Sequence, residues 1–100
     1  MAIERFHPLF VNDLREACDY YDAISAELGV RFRERVRARL HDVGVRPESF
    51  GHIGGDYRGA MVRGFPYVIV FATEETHVTF FGIRHAASDQ SEWFSRSMPR

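Results

Sequence analysis

Five consecutive apolar residues, Tyr67-Val68-Ile69-Val70-Phe71, restrict how this chain can fold more than any other feature of it. At the two-residue repeat of a strand they put bulky side chains on both faces, so a sheet built around them needs cover above and below. The neighbouring segments keep the same repeat. Tyr57 to Arg63 and His77 to His85 read as strands, joined to the central one through Gly64-Phe65-Pro66 and Thr73-Glu74-Glu75-Thr76. Links this short predict an antiparallel meander. Strict alternation then places Val78 and Phe80 on one side of the last strand, and Phe81 and Ile83 on the other.

Upstream the period changes to that of a helix. Leu14, Ala17, Tyr21, Ile24 and Leu28 recur at spacings of three and four, which predicts a first helix over Pro8 to Leu28 with Gly29 as its stop. Phe32, Val36, Leu40 and Val43 predict a second, ended by Gly44 with Pro47 beyond. Two helices so closely linked fold back as a hairpin. Residues 2 to 6 read as a short first strand, and 44 to 56, rich in Gly, as a connector whose glycines supply turn geometry. Asp89 and Glu92 have capping-box spacing, so a short C-terminal helix is expected there, with Trp93 and Phe94 in its first turn and Pro99 ending it. The expected fold class is α+β: an N-terminal strand and a two-helix hairpin packed on an antiparallel sheet, in the order β-α-α-β-β-β. The hairpin can bury one sheet face. The other must be closed by the C-terminal segment or by another chain, a second copy included, and this predicts a partner.

With 100 residues the chain has room for one domain, spanning 1–100, large enough to hold a core without metal or disulfide. Met1-Ala2-Ile3-Glu4-Arg5 meets charge before any apolar run, so no signal peptide is expected, and the apolar run Val68 to Ala72 is too short to cross a bilayer. A lone Cys18 fits a reducing compartment, so the expected setting is the cytoplasm. All thirteen basic residues are arginine, which excludes chemistry that needs a lysine amine, such as Schiff-base formation or a P-loop. The five histidines lack zinc-like spacing. No metal and no cofactor is expected.

Charge is sorted by helix. Residues 8–28 hold five acids against Arg15, whereas residues 30–40 hold five arginines against Glu34. At about 100° per residue Arg31, Arg35 and Arg39 line one edge of the second helix's apolar stripe, and Arg33 and Arg37 the other. Some of these pair with first-helix acids on the plain reading. On the sharper one they form a basic edge for an acidic partner or a phosphate backbone.

Three blocks of residues carry a likeness. They are Phe6-His7-Pro8 with Asp13-Leu14-Arg15-Glu16-Ala17, Tyr20-Tyr21, Leu28-Gly29 and Arg31-Phe32; then Tyr57-Arg58 with Arg63-Gly64-Phe65-Pro66-Tyr67-Val68-Ile69; then Ile83-Arg84-His85 with Trp93 and Arg96. Together they resemble the RelE/ParE superfamily of type II toxin-antitoxin toxins, in the branch called plasmid stabilisation proteins. Ser88 and Gln90 stand where that family usually has arginine and proline. The resemblance implies a toxin neutralised by a small, often acidic antitoxin. ParE-like members poison DNA gyrase; RelE-like members are ribosome-dependent mRNA endonucleases that use basic residues on the sheet. The absence of lysine and the presence of Ser88 favour the first mode here. The alternatives are an mRNA interferase and a non-toxic interaction protein on the same fold.

RNA cleavage would require a general base, a general acid and fixed positive charge. His85, Arg84 and Arg58 are the candidates for that chemistry, although alternation sets Arg58 and Arg63 on opposite faces. The competing reading of His85 is a structural histidine where strand meets tail. Arg31, Arg35, Arg39, Arg63, Tyr67, Trp93 and Arg96 are the candidates for target or antitoxin contact, with packing the competing role of Trp93.

Overall fold

The computed structural model describes residues 3–96; Ala2 and Pro99, expected in the first strand and at the end of the last helix, lie outside them. The elements are β1 (Ile3–Phe6), α1 (Pro8–Ile24), α2 (Ala26–Val45), β2 (His52–Gly54), β3 (Tyr57–Met61), β4 (Tyr67–Thr73) and β5 (His77–His85), with 3-10 turns at Pro47–Ser49 and Gln90–Glu92. The sheet order is β1-β5-β4-β3-β2. Its meander is antiparallel as expected, but β1 lies parallel to β5, so the sheet is mixed. A two-helix excursion separates β1 from the meander, and no tight turn forces the antiparallel sense.

The helical boundaries differ from expectation. Ser25, in extended conformation, ends α1 by donating its backbone N–H to the Tyr21 carbonyl, and its hydroxyl caps α2 by accepting from the Leu28 N–H at 3.0 Å. Gly29 and Gly44 therefore sit inside α2. A Cβ on Gly29 would stand 1.7 Å from Asp22 Oδ1, and one on Gly44 2.8 Å from Glu4 Oε1, so these glycines allow close approach and terminate nothing. In the connector, β2 had no alternating signal to reveal it. Gly55 (φ 54°) and Gly64 (φ 82°) do serve the turns flanking β3, which stops at Met61 rather than Arg63.

The main core lies between the hairpin and one sheet face, where Phe10, Tyr21, Phe32 and Val36 meet Ile69, Phe71 and Phe80. Val70 pairs with Gly82 and Phe71 with Phe80, so Phe81 is an extra residue in β5. This bulge breaks the expected alternation. Ile83 returns to the helix side with Val78 and Phe80, and Phe81 alone turns to the opposite face.

That opposite face is covered by the chain itself. Trp93, 4% exposed, packs with Val68 and Val70 against Tyr57, Phe81 and Phe94, and the Phe94 ring stacks on Tyr57 at 4.9 Å. Of the two ways to close the sheet, the C-terminal segment is the one observed, so the apolar face does not by itself demand a partner. The expected C-terminal helix is only the 3-10 turn. Asp89 accepts from the Ser91 N–H at 3.0 Å, and the cap is an Asx-type turn, not the expected reciprocal box with Glu92.

Candidate functional site

The end of the sheet where β4 begins and β5 ends carries the residues with the most chemistry. Tyr67 and His85 are cross-strand partners with ring centroids 5.2 Å apart. Beside them Asp13, Glu16 and Tyr20 of α1, with Arg84 and Ser88, line an open cleft of about 370 Å³. His85 is exposed, and its Nδ1 accepts the Ala87 N–H at 3.0 Å, so the neutral ring carries its proton on Nε2. In that state no free imidazole lone pair faces the cleft. Arg84 donates to the Glu92 carbonyl at 3.2 Å. Burial raises the Tyr67 phenol above its ordinary value, which keeps it a neutral donor.

Arg58 does not join them. Its cross-strand partner is Phe71, which places it on the helix side, and Nη1 donates to the Phe50 and Glu48 carbonyls at 2.5 and 3.4 Å. Its Nε is buried with no partner among the described residues. Arg63 lies outside β3 in the exposed turn. The candidates for RNA cleavage thus divide between two regions: His85 with Arg84, and Arg58 under the 3-10 turn.

Arg96 has a different environment from the one its sequence suggests. Its guanidinium forms a two-pronged pair with Asp13, at 2.7 and 3.0 Å, and donates to the Phe81 carbonyl at 2.9 Å. Both side chains are nearly enclosed, at 13% and 11% exposure. Asp13 Oδ2 also accepts the Ile83 N–H just after the bulge, at 3.0 Å. Ser88 completes the attachment of the tail: it donates to the His85 carbonyl at 2.6 Å and accepts the Trp93 indole N–H at 2.8 Å. Trp93 and Arg96 are therefore anchors of the C-terminal segment. Nothing local in the sequence links Asp13 to Arg96, because the partners are 83 residues apart.

Among the α2 arginines, Arg33 reaches back across the hairpin to Asp22 at 2.7 and 2.8 Å. This pair holds the Asp22 carboxyl below the usual carboxylate range and pushes the guanidinium up. Arg39 donates Nε to the Met61 carbonyl at 2.7 Å, meets Asp42 at 3.3 Å and lies over the Phe50 ring at 5.2 Å. Arg31 meets exposed Glu27 at 3.6 Å. Arg35 and Arg63 are exposed. On the other flank of α2, Phe6, Leu40, Gly44 and Val45, with Glu4, Arg37 and His41, line a groove of about 400 Å³ beside the edge strand β1. Burial pushes the Cys18 thiol up, which disfavours the thiolate a nucleophile needs. Among the described residues no three His, Cys, Asp or Glu side chains gather as a metal site, and no helix is long and apolar enough to cross a membrane.

A helical hairpin on a mixed sheet, entered by a short parallel strand and closed by a C-terminal strap, defines the RelE/ParE-like toxin class. The family model described as the ParE toxin of the type II toxin-antitoxin system, parDE, matches residues 5–90, and the chain belongs to that family, as the toxin component of such a system. A solved structure described as the chromosomal ParDE TA system from P. aeruginosa shares the fold, with a TM-score of 0.74 over 85% of this chain and 96% of that one at 11% identity. No curated protein matches the sequence.

Proposed function

We propose that the chain acts by binding a protein target, with DNA gyrase the target its family resemblance points to, and that a cognate antitoxin neutralises it. The observation supporting action by binding is the separation of Arg58 from His85 and Arg84, together with the engaged Nδ1 of His85. A phosphoryl-transfer site needs its base, acid and cations within reach of one phosphate. The groove between β1 and α2 suits antitoxin docking, because it joins half-exposed Phe6 and exposed Val45 to an unpaired sheet edge, with charged groups at its rim. Arg31, Arg35 and Arg63 are the accessible members of the proposed contact set; Arg39 is engaged beside Arg63, Tyr67 lies against His85 at the sheet end, and Trp93 and Arg96 hold the C-terminal segment. Both this target and the ribosome place the protein in the cytoplasm.

Expression of the chain alone in a bacterium is expected to arrest growth and induce a DNA-damage response while messenger RNA stays intact, and a co-expressed cognate antitoxin is expected to restore growth. His85→Ala should keep the arrest. Cleaved message in translating extracts, abolished by His85→Ala in a folded protein, would replace this reading with the mRNA interferase. A chain that causes no arrest would instead be the non-toxic interaction protein.

A further inference from the structure

The two flanks of α2 differ in kind. The flank facing β1 is an apolar groove; the other bears arginines that extend beyond the helix. Arg39, Arg46 and Arg63, from the middle and end of α2 and the β3–β4 turn, line one cleft of about 450 Å³ with His41, Asp42 and Ser49. Arg35 stands one turn before Arg39 on the same helix face, an advance of about 6 Å along the axis. Among the described residues Asp42 is the only carboxylate lining this cleft, and Arg39 already engages it at 3.3 Å. The carbonyl end of α2 adds about half a negative charge. Three arginines exceed both. Arg35, Arg46 and Arg63 are exposed, and none is engaged by a side chain or carbonyl among the described residues.

We propose that this cleft and the Arg35 turn leading into it bind the phosphodiester backbone of a nucleic-acid strand, without base recognition and without chemistry on it. A protein interface draws its energy from apolar or aromatic anchors at its centre. Among the described residues the apolar lining of this cleft is Val45 and Phe50, the second already covered by Arg39, and the rest is guanidinium and other polar groups, the pattern of a phosphate-tracking groove. Arg39, over the Phe50 ring and tied to the Met61 carbonyl, is pre-positioned in the cleft, while the other three are free to follow the strand. The cleft shares no lining residue with the one that holds Arg84 and His85. The proposal does not use the cleavage candidates, and it assigns Arg35 and Arg63 to a nucleic-acid strand rather than to the protein contacts named above.

The test is fluorescence anisotropy of the purified full chain with labelled single-stranded 20-mers of mixed sequence, one DNA and one RNA, at two salt concentrations. Four phosphate contacts, one from each arginine, give a log–log salt slope of about −3 for single strands, a weakening of about 50-fold between 50 and 200 mM salt. The triple variant Arg35→Gln, Arg46→Gln, Arg63→Gln should fold with unchanged circular dichroism and lose at least tenfold in affinity at 50 mM salt, whereas Arg15→Gln should bind as the parent does. Comparable binding of the two 20-mers supports backbone recognition; a preference for one assigns the natural strand. Undiminished binding by the folded triple variant overturns the proposal. So does a poly-glutamate peptide that competes as well as unlabelled oligonucleotide at equal charge, since the cleft would then belong to an acidic protein segment. Growth arrest and antitoxin capture are read separately, so failure of the toxin reading leaves this measurement intact.

Discussion

Gly82 shows how much a single position can govern here. A Cβ at this residue would stand 2.6 Å from Arg96 Nη1 and 2.7 Å from Asp13 Oδ2, inside the ion pair that ties the tail to α1. The glycine follows the bulged Phe81, whose carbonyl accepts from the same guanidinium. One bulge therefore supplies an acceptor, an N–H for Asp13 through Ile83, and the space for the pair. Breaking a buried pair by removing one partner costs about 3–5 kcal/mol. Arg96→Gln should lose stability on that scale in urea denaturation. Gly82→Ala should lose about 1–3 kcal/mol through overpacking. The double variant should lose less than the sum, because both act on one contact. Additive losses would show that Gly82 is needed for another reason.

At the scale of elements, the hairpin depends on Ser25 and on the contact that Gly29 permits. Loss of a serine N-cap costs about 1 kcal/mol, so Ser25→Ala should lower the unfolding free energy by about that amount, read as a lower denaturant midpoint at an unchanged slope. Gly29→Ala would ordinarily strengthen a helix. Here it should weaken the fold, because the new methyl would displace the Asp22 carboxylate that receives Arg33. The same pair gives a pH signature. Since its folded value is lowered, Asp22 contributes stability that is fully present above the ordinary carboxylate value of about 4 and is lost as pH falls through the lowered value. Arg33→Ala should return the Asp22 titration toward that ordinary value, as read by NMR.

At the scale of the molecule, the C-terminal strap makes the second sheet face an interior. Trp93→Ala should cost about 3–5 kcal/mol. It should also raise the binding of a hydrophobic dye, since Val68 and Val70 would lose their cover; a variant as stable and as dye-silent as the parent would show that Trp93 contributes little to that cover. Much of this design was legible before the fold was known. The apolar run at Tyr67–Phe71 announced a central strand needing cover on both faces, the Leu14-to-Leu28 and Phe32-to-Val43 stripes announced the hairpin, and the residues around Phe6, Tyr57 and Ile83 carried the family likeness. The site was less legible. Trp93 takes the packing role that competed with contact in its sequence reading, Arg96 was offered only as a contact residue and is an anchor, and the arginine cleft required Arg46 and Arg63 to meet at the end of a helix.

Periodicity, turn chemistry and composition act over a few residues, and these determined the type and sequential order of the main elements, the charge sorting of the hairpin and the lack of an amine for covalent chemistry. The parallel sense of β1, the bulge at Phe81, the Asp13–Arg96 pair and the self-covering of the sheet were decided only in three dimensions. Each joins residues distant in sequence, and the free energy of such a contact is set by what burial leaves within reach, which no local pattern encodes.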